Sequence, residues 1–193
     1  MNHEQYCEGL IESVKRQMNE RRLHHTLGVA RTAKELARRF GVDPEKAEIA
    51  AILHDYCKQW PEEKIRKVIE TTTDVPEDLL LYSKEIWHAH AGAEIVRREL
   101  EIEDEEILNA IRYHTTGRIE MSLLEKVVCL ADYIEPGRKY PGVNEIRRQA
   151  VSGIDQALVE AFANTISFLV QRKSKVYPVT FLTYNNLVGK LEG

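Results

Sequence analysis

The stretch Ala50-Ala51-Ile52-Leu53-His54-Asp55 constrains the fold more than any other in the chain, because an apolar run passes directly into an imidazole and a carboxylate. Ala47, Ala50 and Ala51 precede His54 at helical spacing and share its face, while Asp55 points about 100° further round the same turn. The helix start is equally legible: Asp43-Pro44-Glu45 offers an N-cap, a proline at the first helical position and an acid in the first turn. A helix that is apolar to its last turn must be buried, and it carries His54 and Asp55 inward with it. Burial of both groups is costly unless partners meet them. A core histidine beside a capping aspartate is one solution. A shared metal ion is another.

Helical periodicity continues through the chain. Residues 4–18 place Tyr6, Leu10, Ile11, Val14 and Met18 on one stripe, and a second helix over 20–39 is closed by Gly41. Trp60-Pro61-Glu62-Glu63 opens a helix that ends in Thr71-Thr72-Thr73, and Val75-Pro76 begins an irregular connector. Further helices are expected over 84–100, which contains Gly92, and over 104–114. Ser122-Leu123-Leu124-Glu125 is a capping box for a helix over 123–134. Glu135-Pro136-Gly137-Arg138 and Tyr140-Pro141-Gly142 form a loop, followed by helices over 144–150, over 155–172 and after Pro178. No stretch alternates as a strand does, and no composition shift marks a linker. The expectation is an all-α helical bundle forming one domain over 1–193.

Charge and composition exclude several classes of partner. A formal net charge of −4 argues against nucleic acid and anionic membranes. The pairs Arg97-Arg98, Arg147-Arg148 and Arg172-Lys173 are dispersed among acids rather than gathered into a basic patch, and Glu101 to Glu106 reads as solvated surface. No apolar run is long enough to span a bilayer, and the first residues lack the layout of a secretory signal. Cys7, Cys57 and Cys129 are odd in number and form no CxxC, which suits reduced, buried thiols. A cytoplasmic location is therefore expected. On the 155–172 helix, Leu158, Phe162, Ile166, Leu169 and Val170 form a core stripe, with a homodimer contact as the other use of that face.

More histidines and isolated aspartates fall on apolar stripes. His25 lies with Val29, Thr32 and Leu36; His88 with Gly92 and Ile95; His114 with Ile107, Ala110 and Ile111; Asp132 with Val128 and Leu124. Each histidine alone is readily a satisfied core residue. An unpaired buried carboxylate at Asp132 is harder to accommodate. Separate helices each delivering one such group are best explained by convergence on a metal centre of imidazole and carboxylate ligands. No local ligand motif such as HExxH is present, so tertiary folding must assemble any such site.

In order, His25, His54-Asp55 and Asp132 resemble the motif set of the HD superfamily of metal-dependent phosphohydrolases, and within it the YqeK family. The likeness rests on Arg22-Leu23-His24-His25-Thr26, Leu53-His54-Asp55-Tyr56-Cys57-Lys58, Tyr113-His114-Thr115-Thr116-Gly117, Ala131-Asp132-Tyr133-Ile134-Glu135-Pro136-Gly137-Arg138 and Val176-Tyr177-Pro178-Val179-Thr180. It implies an HD-type bundle that cleaves diadenosine tetraphosphate symmetrically to two ADP, with iron as the bound metal. It implies that His25, His54, Asp55 and Asp132 hold a first metal, and that His88 and His114 hold a second or contact phosphate. At His88-Ala89-His90 the chain departs from the family, which carries one histidine followed by small or apolar residues. His88 aligns with it, and the extra His90 reads as solvent-facing.

Polyphosphate hydrolysis needs charge neutralisation, a positioned water and room for in-line attack. Histidine-rich ligation without thiolate favours iron, manganese, cobalt, nickel or zinc over magnesium. Asp55 is placed to steer the nucleophile, and Lys58, one turn past His54, to reach a metal-held phosphate. His88 and His114 complete the catalytic group. Arg22 neighbours His25 on its helix, and Arg138 follows Asp132 in a Pro-Gly loop suited to a guanidinium–phosphate fork. Thr115 offers a hydroxyl beside His114. The resemblance assigns substrate contacts to Tyr177 and Thr180, and also to His25, His88, His114 and Asp132. Two other readings share the fold: an HD phosphohydrolase acting on a nucleoside mono- or triphosphate, cyclic nucleotide or guanosine alarmone, and a non-catalytic nucleotide sensor.

Overall fold

The computed structural model describes residues 2–192, which form ten α-helices and, among the described residues, no strand. In order these are α1 (His3–Lys15), α2 (Glu20–Phe40), α3 (Pro44–Leu53), α4 (Glu62–Thr71) and α5 (Trp87–Leu100). They continue with α6 (Glu105–Arg112), α7 (Leu123–Ile134), α8 (Val143–Ser152), α9 (Ile154–Gln171) and α10 (Pro178–Glu192). Local chemistry sets the starts. Asn19 caps α2 by accepting from the Arg22 backbone N–H, Asp43 accepts from those of Glu45 and Lys46, and Ser122 and Glu125 close a capping box on α7. Gly41 ends α2 in the left-handed region at φ 73°.

Several boundaries differ from the periodicity, each for a local reason. The first helix stops at Lys15 rather than Met18, because the chain must turn before Asn19 can cap α2. Residues 84–100 divide into a 3-10 turn, Lys84–Ile86, and α5, with the Ser83 hydroxyl accepting from the Glu85 N–H at the start of the turn. The connector after Pro76 holds a second 3-10 turn, Glu77–Leu81. Two helices expected to carry site residues end just before them, α3 at Leu53 and α6 at Arg112.

Packing places α2 between α3 and α7, sets α6 against α3, α5 and α7, and stacks α9 on α7, α8 and α10. A continuous apolar cluster reaches from Cys7 on α1 to Leu187 on α10. Leu53, Leu108, Ile111 and Leu130 are fully buried within it. Each such side chain contributes about 1.5–3 kcal/mol by leaving water. These residues lie close to the ends of α3, α6 and α7, so packing fixes the helix ends from which polar groups project. Among the described residues, no helix is long and apolar enough to cross a membrane.

Candidate metal centre

Two histidines reach the interior through the same local device. After α3 the chain winds through successive tight turns: Tyr56 N–H donates to Leu53 O at 3.0 Å, Lys58 N–H to Asp55 O at 2.9 Å and Trp60 N–H to Cys57 O at 3.0 Å. His54 caps α3, and its Nδ1 donates to Ala51 O at 2.6 Å. His114 lies in the turn after α6, and its Nδ1 donates to Ile111 O at 2.7 Å. Spending the Nδ1 proton three residues back fixes each ring and leaves Nε2 basic and aimed inward. His25 comes from α2, His88 from the first turn of α5 and Asp132 from the last turn of α7.

These side chains meet. His25 Nε2 is 3.0 Å from Asp132 Oδ1 and 3.7 Å from Asp55 Oδ2. His54 Nε2 is 3.3 Å from Asp55 Oδ2 and 3.9 Å from Asp132 Oδ1. His88 Nε2 lies 3.1 Å from both Asp55 Oδ1 and His114 Nε2. Three overlapping sets (His25-His54-Asp55, His54-His114-Asp132 and Asp55-His88-His114) keep their donor atoms within 4.8 Å of one another. His54 Nε2 is wholly buried and has no hydrogen-bond partner. With Nδ1 committed to Ala51, that nitrogen turns a lone pair toward two carboxylates, an arrangement that calls for a cation between them. The residues present therefore fit a metal ion.

The electrostatics agree. Burial alone would keep His54 neutral, yet Asp55, Asp132 and the Ala51 carbonyl raise its pKa above the ordinary value. Burial likewise opposes ionisation of Asp55, but His54 and His88 hold its carboxyl well below the usual range. Asp132 is held well below it, against burial, by Arg138, His25 and His54. Burial, His54 and His88 push His114 far down, and burial and Lys58 lower His88. The pocket keeps two anionic carboxylates and two neutral imidazoles around a place that demands positive charge.

The cationic side chains are engaged as well. Arg22 donates to Asp55 Oδ2 at 2.9 Å. Arg138 donates through Nε to Asp132 O at 2.8 Å, bonds the Asp132 carboxylate, and lies 3.4 Å from His25 Nε2. His114, Thr115, Asp132, Arg138, Tyr177 and Thr180 border a cavity of about 730 Å³, where Tyr82, Tyr140 and Phe168 supply aromatic wall. Tyr177 packs edge-on against Tyr82 at 5.0 Å and donates to Asp78 at 3.3 Å. Thr115 Oγ1 is buried without a partner. Lys58 does not border this cavity. Its ammonium bonds Glu85 at 2.8 Å and His88 Nδ1 at 3.3 Å, so it touches the centre through His88.

Two expectations need correction. His90 is buried at 4 % exposure rather than solvent-facing; its ring packs edge-on against Tyr113, and neither nitrogen has a hydrogen-bond partner. On α9 the core stripe holds for Leu158 and Phe162, but Val170, in the last turn of the helix, is exposed at 60 %.

Glu135 has no assigned role in the sequence beyond its place in the loop and in the resemblance motif, yet its Oε1 lies 3.0 Å from His25 Nδ1 and its Oε2 accepts the Gly137 N–H at 2.6 Å. It orients His25 as the Ala51 and Ile111 carbonyls orient His54 and His114. The available signal was Gly28, a glycine inside α2. A Cβ there would lie 2.7 Å from Glu135 Oε2, so the glycine admits the carboxylate.

The family model for the HD domain matches residues 22–137, a span that runs from Arg22 through His25, His54, Asp55 and Asp132 to Gly137. The chain belongs to the HD-domain family. Among the HD domain's relatives is a protein of Bacillus subtilis named symmetrical bis(5′-nucleosyl)-tetraphosphatase, 51% identical over 94% of this chain and 97% of its own. A protein of the same name from Halalkalibacterium halodurans is 47% identical over 92% of this chain and 95% of its own. In three dimensions the HD domain is similar to a crystal structure of an HD superfamily hydrolase from Clostridium acetobutylicum, described as involved in NAD metabolism. That likeness has a TM-score of 0.90 at 36% identity and covers 95% of this chain and 97% of the other.

Proposed function

We propose that this HD domain hydrolyses diadenosine tetraphosphate to two ADP. One observation carries the reading: imidazoles and carboxylates from separate helices converge, and their cluster opens through His114 and Asp132 onto a cavity with Arg138 in its wall. The names of its full-length relatives supply the substrate class. His25, His54, Asp55 and Asp132 would hold the metal, with His88 and His114 facing a second ion or the phosphates. The donor set of imidazole and carboxylate suits iron, which we take as the resident metal. A cation bound there would neutralise phosphate charge and acidify a water for attack.

The side chains around it divide the remaining work. Hydrolysis adds the water oxygen to one central phosphorus, and the bridging oxygen leaves with the other ADP, carrying a proton. Asp55, held ionised, orients the attacking water by accepting a hydrogen bond from it. The Lys58 ammonium faces His88 Nδ1, so the Nε2 of His88 bears the proton and would hydrogen-bond a phosphate oxygen through it; the neutral ring keeps that proton, and the departing oxygen takes its own from solvent. Arg138 presents a planar fork to the phosphate chain. Tyr177 and Thr180 line the cavity, whose aromatic wall suits a purine, and its volume is ordinary for a small-molecule site. We further read residues 1–193 as one cytoplasmic domain, with a homodimer through the outer face of α9.

Elemental analysis combined with product chromatography on a panel of dinucleoside polyphosphates tests the reading. Two ADP from diadenosine tetraphosphate, lost on chelation, is the expected result. ATP plus AMP, or preference for a mononucleotide, would overturn it.

A further inference from the structure

A second group of metal-binding side chains joins α1 to α3. His3 and Cys7 stand four residues apart on α1 and therefore share a face, and Glu48 comes from α3. His3 Nε2 lies 2.8 Å from Glu48 Oε2 and 3.4 Å from Cys7 Sγ, and the three donors lie within 4.8 Å of one another. None of them belongs to the centre described above. On the other side of the ring, the Glu45 carboxylate is 3.6 Å from His3 Nδ1, close enough to favour a proton there once Nε2 is a ligand.

We propose that His3, Cys7 and Glu48 bind a zinc ion that pins the start of α1 to α3. One imidazole, one thiolate and one carboxylate are a zinc donor set, and the thiolate separates this site from the catalytic donors, which are imidazole and carboxylate alone. Zinc displaces the thiol proton of Cys7 to solvent, and the proton that His3 Nε2 shares with Glu48 moves to Nδ1, so that Nε2 and the carboxylate can bind the ion. Burial and the neighbouring Glu48 raise the Cys7 thiol to about 11, so in the metal-free protein the thiol is protonated and one proton is released on binding. Charge balances as well. Zinc with the Cys7 thiolate and the Glu48 carboxylate is neutral, and the Lys34 ammonium, 2.5 Å from the same Glu48 oxygen that faces His3, would share that carboxylate with the ion. The ion would tie down α1 beside α3, the helix that ends in His54.

Cobalt(II) added to the holoenzyme tests the site by a readout independent of phosphate hydrolysis. One equivalent should produce a thiolate-to-cobalt charge-transfer band, and zinc should abolish it. The band should be lost in Cys7→Ser and weakened in His3→Ala, both of which leave the hydrolytic residues untouched. Zinc should raise the thermal midpoint of the parent protein and leave that of Cys7→Ser unmoved. Absence of the band, or its survival undiminished in Cys7→Ser, overturns the proposal. Because Cys57 and Cys129 are wholly buried elsewhere, the Cys7 variant identifies the sulfur.

Discussion

His54 and His90 are both histidines buried among apolar helix residues, and both have ring nitrogens without a hydrogen-bond partner. Their surroundings are opposite. His54 has Nδ1 anchored on Ala51 O and faces Asp55 and Asp132, which raise its pKa against burial. His90 faces Tyr113 and the charge of Arg112; burial, Arg112 and His88 lower its pKa to about 3. Burial is common to both, so it does not make a histidine functional. What separates them is a locked tautomer and two carboxylates in front of the free nitrogen. The α5 segment shows the same contrast over two residues, since His88 faces Asp55 whereas His90 does not.

The comparison can be broken most directly from the carboxylate side. Asp55→Ala or Asp132→Ala should reduce hydrolysis to background while circular dichroism shows the helices intact; ordinary turnover by either folded variant would remove the basis of the contrast. His54→Ala should lower kcat/KM by about a hundredfold or more, since several kcal/mol of charge stabilisation depend on the ion it would hold. The paired variant His90→Leu should stay within about threefold of the parent.

A finer test concerns the ring anchors. Glu135→Gln should weaken metal affinity by about 10–100-fold, measured by chelator competition, because His25 loses its orienting carboxylate. Gly28→Ala should move the same way, since its methyl would crowd Glu135. The smallest effect lies in pH dependence. The unfolded chain protonates His90 near its ordinary value of 6.5, whereas the folded chain keeps it neutral down to about 3. Stability should therefore fall as pH drops through that window, and His90→Leu should flatten the fall in denaturant titrations. An unchanged slope would show that the ring takes its proton in the folded state.

Much of the centre was legible before any coordinates. His25, His88 and Asp132 lie on helices where the 3.6-residue period alone indicates the inward face. His54 and His114 were placed correctly inward but on the wrong element, because the tight turns after Leu53 and Arg112 contain no glycine or proline to announce them until Pro61 and Gly117 respectively. His90 was misread because α5 buries nearly all its circumference, from Trp87 to Val96, and a helix buried all round has no solvent face. Glu135 was invisible as a partner of His25 because the two are 110 residues apart.

The sequence by itself determined the helices, their caps and the set of polar groups that could not be left in an apolar interior without partners, because periodicity, capping and desolvation act over a few residues. Tertiary structure alone decided which groups meet, which ring nitrogen stays free and where a cavity opens. Those outcomes depend on distances between helices, and a local pattern carries no information about such distances.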